Sequence, residues 1–113
     1  MSPLSRRAEI AHHLRTLFPK APDKDLRHVL DAAEGSRGLR QASPPTAAWL
    51  SAVAYIRHAL SEYDTLLAEG YDVDSARHFS LPKINEILMA WGAARQIRDA
   101  PDDHPRIGSA GSE

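Results

Sequence analysis

The sequence predicts an all-α fold, a four to five helix irregular bundle around one long central helix. Between Pro45 and Glu69, the residues Trp49, Val53, Ile56, Leu60, Tyr63 and Leu67 recur at alternating spacings of four and three, which puts them on one face of a helix. Shorter segments on either side repeat that period, and no stretch alternates apolar and polar residues as a half-buried strand does. Pro19, Pro22, Gly35, Pro44 and Gly70 fall at the junctions, where chain breakers belong.

Ser2-Pro3 reads as a cap followed by a first-turn proline, with Ile10, Leu14 and Leu17 at helical spacing until Pro19, so the first helix spans Pro3 to Phe18. Asp23 and Asp25 after Pro22 suit the positive end of a second helix, whose apolar face is Leu26, Val29, Leu30 and Ala33 and which Gly35 ends. The stretch Gly35 to Ser43 has no period and reads as a loop exposing Arg37 and Arg40. Ser43 or Thr46 caps the central helix, with Pro44 and Pro45 at its start; at 1.5 Å per residue this spine is about 40 Å long. Gly70 ends it. Asp72 or Asp74 then caps a short helix containing Ala76 and Phe79. Since proline breaks helix interiors but suits first turns, Pro82 predicts an interruption there, with Ser80 capping a final helix whose buried face is Ile84, Ile87, Leu88 and Trp91.

The 113 residues suit one helical domain, 1–98, followed by a Pro, Asp, Gly and Ser rich acidic tail, 99–113, that reads as disordered. With 42% hydrophobic and 26% charged residues the composition is that of a soluble globular protein. The absence of cysteine excludes disulfides, thiolate metal sites and a cysteine nucleophile, and makes the cytoplasm the default location. No signal-peptide core or membrane-spanning run occurs. A net charge of -1 argues against a basic coat, but its distribution is uneven. The tail concentrates acid in Asp99, Asp102, Asp103 and Glu113, and no acidic residue lies between Glu34 and Glu62, an interval holding Arg37, Arg40, Arg57 and His58. Folded onto one face, that interval attracts anions.

The ordered set Arg57-His58, Tyr63-Asp64 with Leu66-Leu67, Gly70, Ala76-Arg77, and Leu88 with Trp91 resembles a family of bacteria and fungi catalogued as domain of unknown function number 2293. Phe18-Pro19 and the loop Gly35-Ser36-Arg37-Gly38-Leu39-Arg40 match further elements of it, so the resemblance covers Leu17 to Trp91. It implies a fold and a motif but no reaction. The chain departs from the pattern at Tyr55, where the family favours histidine, at Ser61, where it favours threonine, and at Pro82, where its last helix is unbroken.

On a helical wheel Arg57 and Asp64 flank the core stripe, about 10 Å apart along the axis, so each is expected to find a partner on another helix or in the loop. Tyr63 lies in the stripe as a packing residue. His58 points away from it, with Glu62 one turn on. Histidine and glutamate four apart can share a metal, but His12, His13, His28 and His78 supply no recognised third-ligand spacing, so neither metal nor cofactor is expected. His12 and His13 read as a polar surface pair. The leading expectation is a non-catalytic binding module for an anionic partner such as nucleic acid, using Arg37, Arg40, Arg57, His58 and Asp64. The alternatives are a hydrolase-like enzyme using His58 with Asp64 or Glu62, and an interaction domain that forms a homodimer through a partly exposed spine.

Overall fold

The computed structural model describes residues 5–98, so the Ser2-Pro3 cap and the 99–113 tail lie outside the described residues. In chain order the elements are α1 (Arg6–Leu17), α2 (Asp23–Gly35), a 3-10 turn (Arg37–Leu39), α3 (Pro44–Ala59), α4 (Tyr63–Ala68) and α5 (Val73–Ala90). The fold is an all-α bundle, with no strand among the described residues.

α1 begins at Arg6, not at the expected Pro3, because Ser5 caps it by accepting the Ala8 N–H at 3.1 Å. Ile10 and Leu14 are buried against α2, where Leu26, Val29 and Ala33 face them. On the rim, Arg7 bridges Asp31, at 3.0 Å, and Glu34, while Arg6 donates to the Leu39 carbonyl at 2.7 Å and pins the 3-10 turn to α1. The charged bridges are solvent-screened and orient α1 on α2 more than they stabilise it.

α3 is the centre of the bundle and packs against α1, α2, α4 and α5. Ser43 caps it, Oγ accepting from Thr46, with Pro44 and Pro45 in the first turn. The apolar stripe is only part of its buried surface. Val53 and Ile56 are buried, Trp49 is half-buried, and Ala47, Ala48 and Ala52 are fully excluded from solvent. Small side chains on a helix with neighbours on several sides let those neighbours approach closely, and packing density rather than bulk sets the core there.

The expected spine from Pro45 to Glu69 is two helices. α3 ends at Ala59 and α4 begins at Tyr63. The cause is Ser61, whose Oγ donates to the Arg57 carbonyl and accepts the Tyr63 N–H, offering the backbone an alternative to helical bonding. Charge placement agrees with the break: Arg57 and His58 occupy the last turn of α3 and Asp64 the first turn of α4. Gly70, at φ +101°, closes α4 in a Schellman motif, with Tyr71 N–H on the Leu66 carbonyl and Gly70 N–H on that of Leu67.

The expected interruption at Pro82 does not occur; α5 runs unbroken from Val73, capped by Asp72, whose side chain accepts the Ser75 N–H at 2.8 Å. That bond holds the Asp72 carboxyl below its ordinary pKa. Ser80 is not a cap. Its Oγ, fully buried, donates to the Ala76 carbonyl at 2.7 Å, inside a stripe of Ala76, Ser80, Ile84 and Leu88 that is excluded from solvent on both sides of the proline. Burial along that whole stripe outweighs the single helical bond that Pro82 removes from its exposed face.

The ends of α1 and α5 meet in an aromatic cluster. Phe18 stacks on Trp49 with centroids 5.8 Å apart and meets Trp91 edge-on at 5.7 Å, while the Lys20 N–H donates to the Trp91 carbonyl at 2.9 Å. Gly92 fits here for two reasons: its φ is +83°, and a Cβ on it would lie 3.1 Å from Pro19. Beyond it Asn85 of α5 holds the chain, its amide donating to the Ile97 carbonyl and accepting the Ile97 N–H, both at 2.7 Å.

Candidate anion-binding groove

A groove of about 490 Å³ runs along the outer face of α3. Its floor includes Leu50, Val53 and Ala54; one wall is Ala32, Ser36 and Leu39, and the other is Arg95 and Ile97 of the segment that Asn85 anchors. Arg57 and His58 line it from the last turn of α3, and none of the described residues that line it is acidic. The Arg95 guanidinium lies over the Trp49 ring, 4.1 Å from its centroid, a cation–π contact that holds the cation on the groove wall.

Tyr63 gathers the motif residues at one end. Its ring sits 5.7 Å from the Arg57 guanidinium and 5.3 Å, edge-on, from the His58 ring. Because the chain breaks at Ser61, Asp64 swings to His58 and meets Nδ1 at 2.7 Å, so Asp64, not Glu62, is the carboxylate partner of His58. A carboxylate only accepts, which places the proton on Nδ1 and leaves Nε2 as the other functional nitrogen. Both side chains are more than half exposed, at 53% and 58%. Arg57 is half-buried, and its pKa is lowered first by that burial and then by the nearby charge of Arg77, against a smaller opposing effect of Tyr63.

The structure therefore brings Arg57, His58 and Asp64 together. Arg37 and Arg40 stand apart, exposed on the 3-10 turn and its end, though Ser36 and Leu39 of the same loop form part of the groove wall. Sequence reasoning assigned no role to Arg95, Arg77 or Ser51. Arg95 follows the last helix with no periodic signal, and its place over Trp49 depends on the Asn85 anchor. Arg77 was visible only as part of the motif, and Ser51 carries a buried Oγ with no hydrogen-bond partner among the described residues. Among the described residues the large exposed apolar side chains are Leu50, Tyr71, Val73, Phe79 and Met89, whereas the stripe expected to serve a homodimer is buried or half-buried.

Tyr55 ties α3 to α2. Its hydroxyl donates to Asp25 at 2.6 Å, and its ring stacks on His28 at 6.0 Å and Trp91 at 6.5 Å. Burial, with Asp25 beside it, pushes the Tyr55 hydroxyl up to about 12. The folded state thus keeps a proton that the unfolded chain releases near pH 10, so this contribution to stability is complete below about pH 10 and is lost as pH rises toward 12. Urea midpoints measured across pH 8 to about 11.5 are expected to fall more steeply for the wild type than for Tyr55→Phe; parallel curves would refute the coupling.

Hydrolytic chemistry needs more than a base with an orienting carboxylate. The buried hydroxyl of Ser51 lies two turns before His58, about 10 Å along the axis, beyond the reach of a nucleophile–base hydrogen bond. Among the described residues no three of His, Asp and Glu gather closely enough to hold a metal ion, and no helix is long and apolar enough to cross a membrane. What the arrangement offers is three cationic or protonatable side chains on an apolar floor.

No curated protein and no solved structure matches the chain. A family model does, over residues 13–92, most of the described fold and all of the Arg57 to Trp91 motif: its description is Uncharacterized conserved protein (DUF2293), and the chain belongs to that family.

Proposed function

We propose that this chain is a cytoplasmic, non-catalytic binding module for an anionic partner, nucleic acid, held along the outer face of α3. The observation that carries this reading is the acid-free groove lined by Arg57, His58 and Arg95. Guanidinium groups suit phosphate oxygens because they donate in a planar fork. The Arg37–Leu39 turn adds Arg37, with Arg40 beside it, on the side of the groove formed by Ser36 and Leu39. Arg95, held over the Trp49 ring, gives an exposed base a planar cation to stack upon. Asp64 serves by orienting the His58 ring.

The test is fluorescence anisotropy with labelled single-stranded and duplex oligonucleotides, first at low salt and then across a salt series. Affinity is expected at low salt and should fall as salt rises, the log–log slope counting the phosphates engaged at about 0.7 to 0.9 each. The double variant Arg37→Ala, Arg40→Ala should bind more weakly with a shallower slope, and Arg95→Ala should weaken binding further. No affinity at low salt, or affinity unchanged by these substitutions, would overturn the proposal.

A further inference from the structure

The cation at the inner end of the groove is half of a pair. Arg57 on α3 and Arg77 on α5 lie close enough for the charge of one to act on the other, and both carry a buried Nε with no hydrogen-bond partner among the described residues. Among the described residues neither has a carboxylate in hydrogen-bonding or ion-pair contact, and Asp64, in the first turn of α4, is engaged by His58. Two like charges brought together with unsatisfied donors weaken a fold. That arrangement has a chemical purpose if an anion completes it.

We propose that Arg57 and Arg77 form a clamp for a phosphate group, with Tyr63 as the ring that positions the Arg57 guanidinium. The orphan donors suit an oxyanion chemically, since each guanidinium carries Nε and Nη donors in one plane and a phosphate has several oxygens to accept them. Tyr63 holds Arg57 from the α4 side, and α5 fixes Arg77 next to the fully buried Ala76. The break at Ser61 is what turns Tyr63 and α4 to face α5, so the same local event that splits the spine assembles the clamp. The inference deepens the reading of the groove, with which it shares Arg57, and names the group bound at its inner end.

The experiment is a titration with inorganic phosphate, chloride being adjusted to constant ionic strength, read by thermal unfolding and by calorimetry. The full chain should melt about 5 °C higher at ten times Kd. Arg77→Met, which keeps an unbranched stem but removes the charge and the donors, should melt higher than the wild type without phosphate and show no phosphate-dependent rise. The Arg37→Ala, Arg40→Ala variant should keep the full rise, which separates this clamp from the nucleic-acid reading: loss of oligonucleotide affinity alone leaves the phosphate response intact. Oligonucleotides with and without a 5′-phosphate distinguish the sources. If the phosphorylated one binds about tenfold tighter and Arg77→Met abolishes that difference, the clamp takes nucleic-acid ends; if only inorganic phosphate responds, it takes the free ion. The proposal is overturned if phosphate does no more than chloride, or if Arg77→Met retains the phosphate-dependent rise. Arg57→Met provides the second variant, expected to lose the rise as well.

Discussion

Replacing Phe18 with alanine should cost about 3 to 5 kcal/mol of stability, the range for deleting a buried aromatic ring. Phe18 is wholly excluded from solvent and lies between Trp49 of α3 and Trp91 at the end of α5. Its removal opens a cavity where α1, α3 and α5 meet, and the two indoles cannot close it: Trp49 also carries Arg95, and the backbone carbonyl of Trp91 accepts the Lys20 N–H. Small domains have about 5 to 15 kcal/mol in total, so the variant should be marginal near body temperature. Urea unfolding followed by far-UV circular dichroism and by tryptophan fluorescence checks this. A loss under about 1 kcal/mol would mean that the three rings do not form the keystone described here.

Pro82→Ala should act in the opposite direction and raise stability by about 1 to 2 kcal/mol. A proline inside a helix costs about 3 kcal/mol, set against up to about 1 kcal/mol that its rigidity contributes by restricting the unfolded chain. Pro82 lies on the exposed face of an otherwise continuous α5, so alanine meets no new neighbour and returns an N–H to the helical ladder. The expected gain is about 4 to 8 °C in melting temperature per kcal/mol for a domain of this size. A neutral or destabilising result would favour two helices meeting at Ser80 over one unbroken α5.

The contrast between those two substitutions shows which signals were local. Periodicity and punctuation were enough for α1, α2 and the all-helical class, because Ile10 with Leu14, and Leu26 with Val29, mark their buried faces within a few residues. Ser43 with Pro44, Gly70 and Asp72 are likewise local devices, and each caps or closes a helix where its chemistry calls for it. The motif Arg57-His58, Tyr63-Asp64 and Ala76-Arg77 was legible as an ordered set, and the family match over residues 13–92 follows from it.

Two elements ran the other way, for one reason in each case. A stripe at spacings of four and three does not reveal a break, since Ser61 leaves Tyr63 on the buried side after the turn as well as before it. A proline reads as an interruption until the tertiary fold is known to bury Ala76, Ser80, Ile84 and Leu88 as one surface. The groove was the least legible feature. The acid-free interval supplied Arg57 and His58, but Arg95 reaches Trp49 only because Asn85 clasps Ile97.

By itself, then, the sequence determined the helical class, α1 and α2, and the caps or closures at Ser43, Gly70 and Asp72, which depend on residues within a turn or two of one another, together with the family and a charge gap, which are read from residue order alone. The tertiary structure decided where the spine breaks, which carboxylate meets His58, and that the charges of Arg57 and Arg77, twenty residues apart in the chain, act on each other. Those outcomes depend on packing between distant segments, and packing is the sum of many weak contacts that no single spacing encodes.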